Sequence, residues 1–461
     1  MLERNDAEKP FAGSHPLTLS RLELDDPGPG EILVRIEAAG VCHSDLSVVD
    51  GNRLRPVPML LGHEAAGIVE ELGAGVDALA VGDRVVMTFL PRCGECEHCR
   101  TDGRLPCSVG SAANNEGSLV GGGTRLHRDG APVHHHLGVS AFATHAVVST
   151  TSVVRVDPDV PADVAALLGC AVLTGGGAVL NAGRPAPADD VLVVGLGGVG
   201  MAAVLVARAT GHRVIGVDAL PSKLSLALDL GADAVYTPDE ALEKVVRAPV
   251  VIEAAGHPAA FETAFKLTAA GGITVTVGLP RPDARSSIAP LTLTAEARTI
   301  VGSYLGSSVP ARDIPTYVDL WRQGRLPVEK LVSARIGLDG LNEAMDALAS
   351  GEALRQLIVF PRPRPPEPVK SDIAPVRGRK RCAGPRGPAT DQLEPHASNE
   401  RNHPWQSNES PSSPAEAAAS APPSAGSSRR TAWPSPCSTS TRRTPRRPPP
   451  RSPRPADGPS A

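Results

Sequence analysis

The sequence predicts an α/β protein in two parts, a small antiparallel β-barrel followed by a doubly wound parallel sheet. Three observations predict it. Three stretches among the first hundred positions alternate apolar and polar residues between turn residues. From about Val191 the pattern becomes short apolar runs separated by helical stretches. Aromatic residues make up 3% of the chain although 41% of it is hydrophobic. Its cores must therefore rest on Val, Leu, Ala and Ile, which suits a parallel sheet covered by helices.

In the first part, residues 31–37 (EILVRIE), 65–72 (AAGIVEEL) and 82–88 (GDRVVMT) read as barrel strands. In the second, VLVVGLG, HRVIGVD, DAVYT, VVIEAAG and ITVTVGLP read as five buried strands. MAAVLVARATG, SKLSLALDLGA and AAFETAFKLTAAGG read as the helices between them. After Tyr304 come a helix over 312–323, a strand, a helix over 340–350 and a last strand over 356–360.

Residues 361–461 break with this pattern. Of the 46 prolines in the chain, 23 lie here among Arg, Ser and Ala, and Trp405 and Trp433 are the only aromatics. Such a segment cannot bury enough apolar surface to offset its ordering entropy, so a disordered, dispensable tail is expected. Out-of-frame translation of GC-rich DNA produces the same composition; a polybasic binding arm is the alternative.

A length of 461 residues suggests two or three domains. The tail holds 17 Lys and Arg against 8 Asp and Glu; from chain totals of 46 and 50 this leaves 29 against 42. The body thus stands at −13 and the tail at +9. An acidic body argues against nucleic acid as the main partner. Residues 1–11 carry Glu3, Asp6 and Glu8 without an apolar core, so no export signal is expected. No membrane span is expected either. A cytoplasmic location follows as an expectation, and clustered thiols there bind metal more often than they form disulfides.

Cys93, Cys96, Cys99 and Cys107 form C-x2-C-x2-C-x7-C. Four thiolates on so short a loop can close a tetrahedral metal site with no position left for chemistry. A disulfide cluster and an iron–sulfur cluster are the alternatives, the latter without its accompanying Cys-Pro signature. A zinc knuckle of a nucleic-acid-binding protein is a reading of another class. Glu95 and Glu97, set between the cysteines of an acidic body, speak against it.

Gly195-Leu196-Gly197-Gly198-Val199-Gly200 follows the strand VLVV and opens a helix. Gly195 suits a tight turn, Gly197 a close approach to a pyrophosphate, and Gly200 close packing of helix on strand. Asp218 ends the next strand, 23 residues beyond Gly195. A carboxylate there accepts both ribose hydroxyls of NAD and repels the 2′-phosphate of NADP, so NAD is expected.

Cys42 lies in GVCHSD, His63 in GHE and Cys170 in LLGC. Two thiolates and an imidazole suit zinc and leave a fourth position open. Spacing alone does not bring the three together, and singly each also reads as a buried side chain. In order, GVCHSD, LGHEAAGIVEELG, LLGCAVLTGGGAVLNAG and VVGLGGVG resemble the zinc-containing alcohol dehydrogenases of the medium-chain dehydrogenase/reductase family. The resemblance spans about residues 30–360.

The resemblance implies a GroES-like catalytic domain over 1–171, completed by 305–360, and a Rossmann domain over 172–304, with 361–461 as the tail. It implies that Cys42, His63 and Cys170 hold a catalytic zinc, with Glu64 close behind it and Asp45 fixing the His63 ring. Cys93, Cys96, Cys99 and Cys107 would hold a structural zinc. Lys223 would meet the adenosine ribose, and Arg355 the pyrophosphate. His43 stands where many relatives carry a pyrophosphate-facing Arg. Ser44 would touch the substrate oxygen, and Ser47 replaces a proton-relaying His. Thr174, Val199, Val277 and Leu279 would line the nicotinamide pocket.

The implied activity is hydride exchange between an alcohol and its aldehyde or ketone with NAD, in a homodimer or homotetramer. A primary alcohol or a thiol–formaldehyde adduct is the favoured substrate. A polyol or amino-alcohol dehydrogenase of the same family is the alternative, and a zinc-free quinone reductase is disfavoured by the intact ligand set. The Gly-rich segment 108–142 is expected to overhang the pocket, carrying His134, His135 and His136 as polar loop surface, with a further metal site as the alternative.

Overall fold

The parallel sheet has six strands. Their order across the sheet is Ala234–Tyr236, Val214–Val217, Val191–Val194, Ala248–Glu253, Thr268–Thr276 and Thr299–Gly302, every pairing being parallel. These features belong to a computed structural model that describes residues 1–361. The tail over 362–461, expected to be disordered, lies outside the described residues. All four residues of Val191–Val194 are buried, as a central strand covered on both faces requires. Strand order reverses between this strand and Ala248–Glu253, and the carboxyl ends of the two open a crevice there.

Two of the sequence expectations need correction here. The sixth strand, Thr299–Gly302, was not among the five predicted. It is a four-residue edge strand with exposed ends, too short and too polar to read as a buried apolar run. The helix predicted over 259–272 stops at Leu267, and Thr268–Thr276 is strand. Thr268 turns extended, and its hydroxyl is held by Ala264 O at 2.9 Å and the Thr274 hydroxyl at 2.6 Å. Gly271 adopts φ 73°, which ends any helical continuation.

The first part of the chain builds a mainly antiparallel sheet around Glu31–Val41. This long strand pairs with Ala65–Leu72 on one edge; on the other it pairs first with His145–Ser149 and then with Arg355–Val359. Irregular register between Leu33 and Val34 and between Ile36 and Ala38 marks bulges, which bend a strand. The register carries function. Ala39 opposes Ala65, and the Gly40 N–H donates to Glu64 O at 2.7 Å, so Cys42 and His63 emerge side by side. Gln356 opposes Val41, which sets Arg355 beside Cys42.

A helical run over Ala162–Gly183 supplies the third partner. By length and composition it could cross a membrane, but most of it is buried inside the fold. Two π-type segments interrupt it, Leu168–Val172 and Ala178–Gly183. Such local widenings recur at functional sites. Cys170 sits in the first, 4% exposed.

Candidate active site

Cys42 directly precedes the helix His43–Val49, His63 precedes the strand Ala65–Leu72, and Cys170 comes from the π-type turn. Positions nearly 130 apart thus meet: one donor atom from each of Cys42, His63, Glu64 and Cys170 lies within 4.8 Å of all the others. Cys170 Sγ stands 3.6 Å from His63 Nε2. Tetrahedral zinc with ordinary Zn–S and Zn–N bonds separates such a pair by roughly 3.5 Å, so the donor set fits one zinc ion.

Asp45 organises this cluster. One oxygen accepts from the Cys42 N–H at 3.1 Å; the other accepts from Gly62 N–H at 3.2 Å and from His63 Nδ1 at 3.0 Å. A carboxylate can only accept, so Nδ1 carries the proton and Nε2 is free for a metal. Burial alone would push the Asp45 carboxyl up, but His63 and His136 hold it at about 2. Glu64 is fully buried, and neither of its oxygens has a hydrogen-bond partner. Burial pushes its carboxyl up to about 7 against the pull of Arg355, whose Nη1 lies 3.6 Å away.

The second cysteine group is local. Sγ–Sγ separations are 3.6 Å for Cys93–Cys107, 3.9 Å for Cys96–Cys107 and 4.0 Å for Cys93–Cys99. All exceed a disulfide bond by far. The edge of a tetrahedron of thiolates around one zinc is about 3.8 Å, which matches; a cluster of several irons would spread the sulfurs further. Backbone N–H groups of Cys93, Cys96, Cys99 and Gly110 point at these sulfurs at 3.4–3.5 Å, an arrangement that favours thiolates.

A cleft of roughly 450 Å³ joins the first metal set to the crevice of the parallel sheet. Its walls include Cys42, Cys170, His43, Ser44 and Ser47 at one end and Gly195, Gly197, Gly198, Val199, Asp218 and Lys223 at the other. Thr174, Val277, Leu279 and Arg355 also line it. His63, Asp45 and Glu64 are wholly buried behind the wall. Gly195 has φ 91°, and a Cβ on Gly200 would collide with Gly195 O, so both glycines are demanded by the turn. Asp218 accepts from Leu196 N–H at 2.7 Å and Leu220 N–H at 2.9 Å, which fixes the carboxylate at the mouth of this turn. Arg355 packs on the first turn of the Gly198–Ala209 helix: a Cβ on Gly198 would lie 2.8 Å from its Nε. That Nε is buried without a partner, an orphan donor suited to an anion at the helix N-terminus. Burial lowers the Lys223 pKa, with Asp218 pulling it back up.

Segment 108–142 does not overhang the cleft; none of its residues lines it. It folds into a helix, Ser108–Glu116, and the pair Leu126–Arg128 and Ala131–His135. Nor are its histidines loop surface, since His135 and His136 are each 1% exposed. His135 Nε2 accepts the Arg125 N–H at 3.1 Å. His136 Nδ1 lies 3.2 Å from Asp45 without hydrogen-bond alignment, and its ring stands edge-on to His63 at 5.4 Å. No local pattern in the sequence marks this, because the contact joins positions 91 apart. The wall formed by Phe89 and Tyr304 was likewise not foreseen. Phe89 packs edge-on to His63 at 5.7 Å and to Tyr304 at 5.6 Å.

Comparison with known proteins agrees with this architecture. Residues 28–158 match the alcohol dehydrogenase GroES-like domain, and residues 198–323 match the family described as zinc-binding dehydrogenase. Alcohol dehydrogenase 1 of Trifolium repens is 33% identical over 356 residues, which cover 74% of this chain and 93% of the relative. Benzyl alcohol dehydrogenase from Acinetobacter calcoaceticus superposes with a TM-score of 0.70 at 32% identity, covering 75% of this chain and 96% of that one. Acetophenone reductase from Geotrichum candidum, solved with NAD, gives 0.61 at 27% identity, covering 76% and 95%. With its donor clusters and glycine turn in place, the chain belongs to the zinc-containing alcohol dehydrogenases of the medium-chain dehydrogenase/reductase family.

Proposed function

We propose that this enzyme interconverts a primary alcohol, or a thiol–formaldehyde adduct, and its oxidised product by hydride exchange with NAD. The observation that carries the reading is the single cleft with Cys42 and Cys170 at one end and Asp218 at the other. Cys42, His63 and Cys170 would hold zinc, and Cys93, Cys96, Cys99 and Cys107 a second, structural zinc. Zinc in the first site would supply Lewis acidity that lowers the pKa of an alcohol hydroxyl, and NAD would supply the hydride acceptor.

The chain's own residues do the rest. Asp218 receives the adenosine ribose hydroxyls and Lys223 flanks them; His43 and Arg355 face the pyrophosphate. Thr174, Val199, Val277 and Leu279 line the cleft and would hold the reacting ring of NAD, while Phe89 and Tyr304 would exclude water. Ser44 would relay the alcohol proton, accepting it as its own hydroxyl proton passes on to water: its hydroxyl has no protein partner among the described residues and lines the cleft. Ser47 cannot replace a titrating relay, because its hydroxyl donates to His43 O at 2.8 Å. The reading includes a homodimer or homotetramer in the cytoplasm.

Steady-state oxidation of benzyl alcohol and of a polyol, each with NAD and with NADP, tests it. Preference for benzyl alcohol with NAD is the expected result. Turnover confined to the polyol, or to NADP, would overturn it.

A further inference from the structure

Arg53 is a half-buried cation in the wall of the cleft, and no carboxylate among the described residues pairs with it. Among the described residues its guanidinium makes no hydrogen bond or ion pair, whereas the neighbouring charges are occupied. Arg55 Nη1 donates to Asn114 O at 3.2 Å and to Asn115 Oδ1 at 2.7 Å. Asp50 is taken by Asn52, through the backbone N–H at 3.0 Å and the side-chain amide at 2.7 Å. Arg281, also in the wall, is paired with Asp283. The one carboxylate among the described residues lining the cleft is Asp218, which belongs to the ribose end.

The position of Arg53 is held by the chain before it. Its backbone N–H donates to Ser47 O at 2.7 Å, just past the helix that Cys42 opens. It lines the cleft near Tyr304. From His63 the rings of Phe89 and Tyr304 lead outward, and the positive fields of Arg53 and Arg55 act on the Tyr304 hydroxyl, which burial otherwise pushes up. The cofactor arm has cations of its own in Lys223 and Arg355.

A half-buried guanidinium without a counter-charge is costly unless an anion meets it, and its planar fork fits a carboxylate through two parallel hydrogen bonds. We propose that Arg53 selects an alcohol whose far end carries a carboxylate, so that this enzyme's natural substrate is an anionic alcohol or the corresponding aldehyde acid. The inference rests on the alcohol–NAD reading above and adds the charge of the substrate to it.

The test compares 4-(hydroxymethyl)benzoate with its methyl ester, which has nearly the same shape and no charge. In the intact enzyme with NAD, kcat/KM for the carboxylate should exceed that for the ester by roughly tenfold to a hundredfold. Arg53→Gln should bring the ratio near one, Arg53→Glu should invert it, and Arg53→Lys should keep part of it. A ratio near one in the unmodified enzyme, or one unchanged by Arg53→Gln, overturns the role of Arg53 while leaving alcohol oxidation intact. Failure of both alcohols to turn over overturns the alcohol–NAD reading and this inference with it.

Discussion

The carboxylate of Asp45 meets His63 Nδ1 at 3.0 Å while its second oxygen receives the backbone N–H of Cys42. One buried side chain thereby holds two of the three donors in register. Removing it should loosen the metal before it harms the fold. For Asp45→Asn, zinc affinity measured by competition with a chelator should fall roughly tenfold to a hundredfold. An unchanged affinity would show that the strand register alone orients His63.

Asp218 stands at the ribose end, with its oxygens fixed by the N–H groups of Leu196 and Leu220. In Asp218→Ser, the ratio of kcat/KM for NAD over NADP should drop by roughly a hundredfold, because both hydroxyl acceptance and phosphate repulsion are lost. A ratio that stays put would assign cofactor choice to another residue.

Cys107 is wholly buried and its sulfur receives N–H groups from Cys93 and Gly110. Cys107→Ser should therefore open the closed tetrahedron. Elemental analysis should then show one zinc per chain in place of two, with a lower Tm, since a structural ion contributes directly to folding. Retention of both ions would contradict the assignment of this lobe.

Burial first, and then Arg125, lowers the His135 pKa from the ordinary 6.5 to about 3. Below pH 6.5 the unfolded chain takes up a proton that the folded chain refuses. The stability present above 6.5 is therefore lost progressively as pH falls toward 3. Between about pH 7.5 and about pH 5 the loss from this residue is about 2 kcal/mol. His135→Gln keeps an acceptor for the Arg125 N–H and removes the titration, so its urea stability should fall less over this interval than that of the unmodified protein. Acid effects at the metal sites are common to both proteins and cancel. Equal losses would mean that His135 is protonated in the fold.

The parallel sheet was legible because Val191–Val194 and its neighbours are wholly apolar and separated by helices of ordinary period. The edge strand Thr299–Gly302 was not, since half of it faces solvent and leaves no periodic trace. The four-cysteine lobe could be read from spacing because its ligands are close in sequence. Cys42, His63 and Cys170 became a set only through the joint motifs of a family, since strand register and a π-type turn bring them together. His136 against Asp45 and Arg53 in the cleft wall had no such signature. Both depend on tertiary packing of segments whose composition resembles ordinary loops.

Alcohol oxidation by this chain requires a metal held by Cys42, His63 and Cys170. The direct measurement is NAD reduction with benzyl alcohol before and after zinc is withdrawn by a chelator, and again after zinc is restored, with zinc counted at each stage. Turnover should disappear as the ion at these three residues is lost and return with it, and Cys42→Ser should never recover it. Undiminished turnover in the zinc-free protein, or in Cys42→Ser, would rule out a catalytic metal at these residues.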